Sequence, residues 1–191
     1  VLEEVLRVID PGPDERIMGL SVVLAKGHTL FIADTNVTEM PEAEELVEIA
    51  CEAARTVKSL GYVPRVAFMS YSTFGNPEGS WLDDIREAVN ILEQRRPSFE
   101  FEGEMAADVA LNPKLASSYP FSRLSGPANV LIMPGLQSAN LSAKLLRELG
   151  SNATIGPMLI GMEKPVQIVP MTAAVPDVLT LAVLASAGVV G

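Results

Sequence analysis

"RVAFMSYSTFGNPEG", Arg65 to Gly79, is the stretch on which the fold turns. Val66 to Met69 form a continuous apolar run of strand length. A loop written in Ser, Thr, Gly, Asn and Pro follows, and after it Leu82, Ile85, Val89 and Leu92 recur at helical spacing. Strand, loop and amphipathic helix in that order form the repeating unit of a layered α/β protein.

The same unit recurs on both sides. Upstream, "GLSVVLAKGHTLFIADT" reads as two β-rich runs joined at Lys26-Gly27-His28, a hairpin signal. From Pro41 to Leu60 the positions Leu46, Ile49, Ala50, Ala53, Val57 and Leu60 hold helical spacing, with acids in the first turns, Arg55 and Lys58 near the end and Gly61 as a stop. "VLEEVLRVID" carries an apolar stripe of its own, halted by "PGPDER", and reads as an opening helix. Downstream come the short strand "FEFE", a one- or two-turn helix in "EMAADVALN", and an irregular connection over 114–127. A buried strand "ANVLIMP" and a helix ended by Gly150 precede two strand-like runs, "ATIGPMLIGM" and "PVQIVP". Strands alternating with helices predict an α/β fold with a largely parallel sheet. The last helix differs from the others: Val178, Leu179, Leu181, Val183, Leu184 and Val189 cover all its sides, so something must bury it. Burial by the rest of this chain and cover by a missing domain or a partner subunit are both open.

Composition narrows the function. A net charge of −10, with 14 scattered basic residues against 24 acidic ones, disfavours nucleic acid and anionic membranes as partners. No apolar run reaches the roughly 18–20 residues of a spanning helix, and the acidic N-terminus is unlike a signal peptide. A cytoplasmic location is therefore expected. Cys51 is the one cysteine and falls in a helical pattern, as a buried apolar residue does; His28 is the one histidine and sits in a turn. Two such residues in different elements offer no metal site.

Ligand chemistry is expected where strands run into helices. Three junctions fit. The first offers Ser72, Thr73 and Asn76; the second, "MPGLQSANLSAK", offers Gln137, Asn140 and Lys144 around a helix N-terminus; the third, "PMTAAVPD", offers Thr172 and Asp177. An acid in a first helical turn is also what the helix dipole favours, so Asp177 has a structural explanation beside a functional one.

Taken in order, "LFIADTNV", "PEAEELVEIA", "PRVAFMSYSTFGNPEG", "FEGEMAADVAL", "GPANVLIMPGLQSANLSAKLL", "IGPMLIGMEKPVQIV" and "VPDVLTLAVLA" resemble the phosphate acetyltransferase (phosphotransacetylase) family over essentially the whole chain. "HTLFIADTNV", "SYSTFGNPEG", "LQSAN" and "QIVPMTA" are most similar to the branch formed by the C-terminal domains of bacterial hybrid NADP-dependent malic enzymes. The resemblance implies a two-lobed fold with a coenzyme A cleft between the lobes. Residues 1–165 would form the second lobe, and 166–191 a return segment completing a first lobe that is largely missing here.

The resemblance also says what has changed. Active acetyltransferases carry Ser-Arg-Gly before the last helix and an aspartate shortly after; these align with Pro170, Met171, Thr172 and Asp177. Only the acid survives, and neither Pro nor Met offers the donors and charge that a transferring phosphoryl group needs. Likewise the family's Asp-Leu-Asn-Ala-Gly-Asn reads Gly135-Leu136-Gln137-Ser138-Ala139-Asn140 here. The implied function is a non-catalytic regulatory and oligomerisation domain with acetyl-CoA as effector. NADP, a divalent metal and malate decarboxylation would belong to an upstream malic-enzyme region, and the partners would be that region, an acyl-CoA and further copies of the chain. An active acetyltransferase and a purely structural domain are the alternatives.

Overall fold

The computed structural model describes residues 1–13, 15–150, 153–171 and 173–188. Strands β1 (Met18–Ala25) and β2 (His28–Ala33) form the expected hairpin, closed by Lys26 and Gly27, whose φ angles of 49° and 80° are left-handed. Two left-handed residues give the turn twist that matches a twisted hairpin, and Gly27 makes it cheap. Helix α2 (Ala43–Ser59) follows, its start tied by the Glu42 N–H donating to the Glu45 carboxylate. Next come β3 (Arg65–Met69), a single 3₁₀ turn over Ser80–Leu82, α3 (Asp83–Arg95) and β4 (Glu100–Met105).

Two short helices, Ala107–Leu111 and Pro113–Ala116, lead into the irregular connection, which ends at β5 (Val130–Ile132). Helix α6 (Leu136–Leu149), strand β6 (Ala153–Ile160) and helix α7 (Val175–Ser186) complete the order, with the two short helices counted as α4 and α5 and the opening one, Leu2–Val5, as α1. The six strands form one sheet in the order β4-β3-β5-β2-β1-β6. β2 pairs parallel to β5, β5 to β3 and β3 to β4, while β1 is antiparallel to both β2 and β6. Among the six described strands, both antiparallel pairings therefore come from β1, which runs against the other five.

Successive strand residues face opposite layers. Phe31, Val66, Phe68, Val130 and Ile132 join α2 and α3 in one core; Leu30, Ile32, Ala67, Met69 and Leu131 join α4 and α6 in the other. This explains the continuous apolar runs of the parallel strands, which are covered on both faces. Asn129 fixes the register of β5 on β3: its side chain accepts from the Arg65 N–H (2.7 Å) and donates to the Val63 carbonyl (2.9 Å).

Three expectations need correction. The opening helix is one turn, Leu2–Val5; its apolar stripe is at most half-buried, so packing adds little to hold a longer helix. β4 runs on through Glu104 and Met105, with Glu104 at a register shift and Met105 pairing with Met69 of β3, so the following helix begins only at Ala107. "PVQIVP" is not a strand. Its Gln167 side chain takes the place of one, accepting from the Leu159 N–H (2.9 Å) and donating to the Leu159 carbonyl (2.8 Å) on the outer edge of β6. The segment then runs back along β6 into α7. That helix seats Leu181, with Leu184 and Ala185, on the α2 face of the core, and leaves Val175, Val178, Leu179 and Val183 exposed.

Replacing both Gln167 hydrogen bonds at once should be felt. Gln167→Ala is expected to lower stability by about 1–2 kcal/mol in urea unfolding, and Gln167→Asn, one methylene shorter, to recover little of it.

Candidate functional site

The C-terminal ends of β2, β5, β3 and β4 lie side by side along one edge of the sheet. α2 leaves β2 toward one face and α6 leaves β5 toward the other, so the neighbouring strands β2 and β5 mark a switch point, where open α/β sheets form ligand crevices. The loops after β2, β3 and β5 line this edge.

The β3 loop is built on a neighbouring strand. Glu104 of β4 is 2% exposed, and its Oε1 accepts from the Ser72 hydroxyl (2.8 Å), the Gly75 N–H (2.7 Å) and Arg86 Nη2 (3.0 Å), while Oε2 accepts from Arg86 Nε (3.0 Å). The Glu104 carbonyl accepts from the Phe74 N–H, the Met105 carbonyl from the Ser70 N–H, and the Ala106 N–H donates to the Thr73 hydroxyl. Thr73 and Asn76 exchange main-chain hydrogen bonds around Phe74 and Gly75, whose φ angles are 49° and 94°. The Phe74 ring packs at 4.9 Å from Phe121 and 5.2 Å from Tyr119, which ties the loop to the irregular connection. Burial alone would push the Glu104 carboxyl up; Arg86, the Gly75 N–H and the Ser72 hydroxyl outweigh it and hold the group down at about 2.

A second carboxylate organises the β2 loop. Asp34 is buried directly after β2; its Oδ1 accepts from the N–H groups of Gly19 (2.8 Å), Asn36 (2.9 Å) and Val37 (3.1 Å), and its Oδ2 from Thr38 (2.7 Å). The β5 loop docks on this one. Leu136 N–H donates to the Glu39 carbonyl (3.0 Å), and Asn140 Nδ2 reaches the Thr35 carbonyl (3.4 Å). A Cβ on Gly135 would stand 2.8 Å from the Glu39 carbonyl oxygen, so only glycine allows that approach.

The candidate residues therefore fall into two places. Ser72, Thr73, Asn76, Gln137 and Asn140 gather at the C-terminal sheet edge, and Lys144 is exposed further along α6. Within this group the hydroxyls of Ser72 and Thr73 are engaged internally, whereas Asn76 and Gln137 are exposed. Asp177 lies elsewhere. With Pro170, Ala173, Thr180 and Arg147 it lines a cavity of about 170 Å³ against Thr154, Ile155 and Gly156, the first half of β6. β6 runs parallel to β2 and β5, and its first half lies level with Leu30 and Phe31, so this cavity is toward the opposite end of the sheet from the loops after β2, β3 and β5. Asp177 Oδ2 accepts from the Ala174 N–H (3.2 Å), a helix-capping bond, and Met171 is fully exposed. Thr172 lies outside the described residues.

Sequence reasoning missed Asp34, Glu104 and Arg86. The signals were an Asp directly after a strand and a Glu flanked by Gly103 and Met105; the partner Arg86 sits on another element. Cys51 is half-buried and burial pushes its thiol up, which agrees with an unreactive packing role. His28 is exposed at the hairpin turn. Among the described residues no group of three or more His, Cys, Asp and Glu is placed to hold a metal ion, and no helix is long and apolar enough to cross a membrane.

The sheet, its two layers and the loops at its edge define a phosphotransacetylase fold. The chain belongs to the phosphate acetyl/butaryl transferase family, whose model matches residues 1–186. It is 54% identical over 185 residues to the NADP-dependent malic enzyme of Rhizobium meliloti (strain 1021), covering 97% of this chain and 24% of that enzyme. To the phosphate acetyltransferase of Bacillus subtilis (strain 168) it is 32% identical, over 86% of this chain and 52% of that protein. A phosphotransacetylase structure from Streptococcus pyogenes superposes with a TM-score of 0.90 at 31% identity, over 98% of this chain and 58% of that one. The chain thus spans about a quarter of the malic enzyme and somewhat over half of the solved acetyltransferase.

The Glu104 carboxyl sits below its ordinary value of 4.5, so its stabilisation is complete above that pH and is lost as pH falls through about 2. Glu104→Gln is expected to lower stability by about 2–4 kcal/mol at pH 7. Thermal melts should show the gap between variant and wild type narrowing from pH 5 to pH 2.

Proposed function

We propose that this chain is the C-terminal, acetyltransferase-like domain of an NADP-dependent malic enzyme, and that it senses acetyl-CoA and joins subunits without transferring acetyl groups. In this reading an upstream region, with NADP and a divalent metal, oxidatively decarboxylates malate to pyruvate, and the protein works in the cytoplasm. The observation that carries it is the junction before α7. Pro170 and Met171 stand where the active enzymes of the family have the serine and arginine that handle the phosphoryl group, and the surviving acid, Asp177, caps its own helix. Losing one preorganised donor typically costs on the order of 10²–10³-fold in rate, and here two are absent. The higher identity to malic enzymes than to acetyltransferases supports the same assignment.

A sensor needs only that its ligand bind two states of the protein unequally. The crevice at the C-terminal sheet edge is the binding surface we assign to the acyl-CoA, with Asn76, Gln137 and Asn140 as its polar contacts. The return segment 166–191 would complete the lobe that lies outside this chain. The exposed side of α7, Val175, Val178, Leu179 and Val183, would be covered there or between subunits.

Titrating acetyl-CoA into the complete malic enzyme, by calorimetry and by following malate-dependent NADP reduction, tests the reading. Saturable binding with a change in malate oxidation is expected; no binding and no change would refute it. A complete domain that forms acetyl-CoA from acetyl phosphate and CoA, and loses that activity in Asp177→Asn, would establish the acetyltransferase alternative instead.

A further inference from the structure

We infer that Glu104 is the positioning residue of the acyl-CoA crevice: from the neighbouring strand its carboxylate holds the β3 loop in the one shape that binds, an inference that rests on the acyl-CoA reading above. The loop cannot hold this shape by itself. Phe74 occupies a left-handed conformation that a bulky residue avoids, at a place in a two-residue turn where Asn or Gly is favoured. Such a conformation persists only when the surroundings enforce it. The enforcing contacts converge on Glu104, whose carbonyl takes the Phe74 N–H and whose Oε1 takes both the Gly75 N–H and the Ser72 hydroxyl.

Arg86 completes the clamp from α3. It donates to both carboxylate oxygens at 3.0 Å, which fixes the plane of the carboxylate and leaves Oε1 aimed at the loop. The hydrogen bonds of the Glu104 side chain go to Ser72, Gly75 and Arg86 and not to Asn76, Gln137 or Asn140, the polar contacts assigned to the ligand, so its effect is indirect. It removes the freedom of the loop on folding, and a ligand then meets an ordered surface instead of ordering it on binding.

Position 102, two residues earlier on β4, supplies the comparison. Glu102 is equally buried and accepts from Arg123 Nη2 (2.7 Å) and from the Arg123 N–H (2.8 Å), anchoring the irregular connection instead of the β3 loop. Loss of a buried ion pair from the same strand is thus available with and without loss of the loop clamp.

The experiment is calorimetric titration of acetyl-CoA into the complete malic enzyme at pH 7 and 20 °C, on wild type and variants shown to be folded by their melting curves. A carboxamide at position 104 places an NH₂ among donors, so Glu104→Gln should weaken acetyl-CoA binding 10- to 100-fold, while Glu102→Gln leaves it within threefold. Ser72→Ala, which removes one clamp bond and is the milder variant should Glu104→Gln fail to fold, should weaken binding three- to tenfold. Equal affinities for the Glu104, Ser72 and wild-type proteins, or equal losses in the Glu102 and Glu104 variants, would overturn the positioning role while leaving the acyl-CoA reading intact. Failure of the wild-type enzyme to bind acetyl-CoA would instead refute that reading and the positioning role with it.

Discussion

Buried main-chain donors must find acceptors, and at the C-terminal edge of this sheet carboxylates supply them. Glu104 and Asp34 each sit at the end of a parallel strand, and each gathers the N–H groups of a turning loop around the oxygens of a buried carboxyl group. Glu102 does the same for the connection between β4 and β5 through Arg123 and the Arg123 N–H. Hydrogen bonds to a charged acceptor are stronger than neutral ones, and burial sharpens them further. The loops thereby become extensions of the sheet, and the surface they present is set by strand geometry.

This arrangement changes what the loops offer. A Gly- and Ser-rich loop at a strand end suggests a cradle for a phosphate, made of free N–H groups and hydroxyls. Here the N–H groups from Asn36 to Thr38 point at Asp34, those of Phe74 and Gly75 at Glu104, and the Ser72 hydroxyl is engaged as well. The anion that such a cradle would take up from solution is already part of the protein. The side-chain amides of Asn76 and Gln137 remain exposed.

The layered α/β fold was legible because its signals are local: apolar runs of strand length, helical stripes with caps, and Lys26-Gly27 at a hairpin. Direction was legible too, since long helical crossovers impose parallel strands. What escaped depends on pairs distant in sequence. Arg86 and Glu104 belong to α3 and β4, and nothing in either segment names the other. "PVQIVP" has strand composition, yet one amide side chain makes the contacts that its backbone was expected to make. The candidate residues were read as three equivalent junctions, but the third lies at the far end of the sheet because the chain doubles back along β6 before α7 begins.

That doubling back bears on how copies of this chain can meet. β6 is an edge strand, and an open edge invites strand addition and aggregation. Along its outer side, Gln167 takes both main-chain groups of Leu159, Arg147 Nη2 donates to the Gly156 carbonyl at 3.2 Å, and Pro157 has no N–H to give. Few ladder positions are left for a foreign strand. Strand addition is therefore disfavoured at this edge, which leaves helix surfaces, matched side chain by side chain, as the better route to an association that stops at a closed number of subunits.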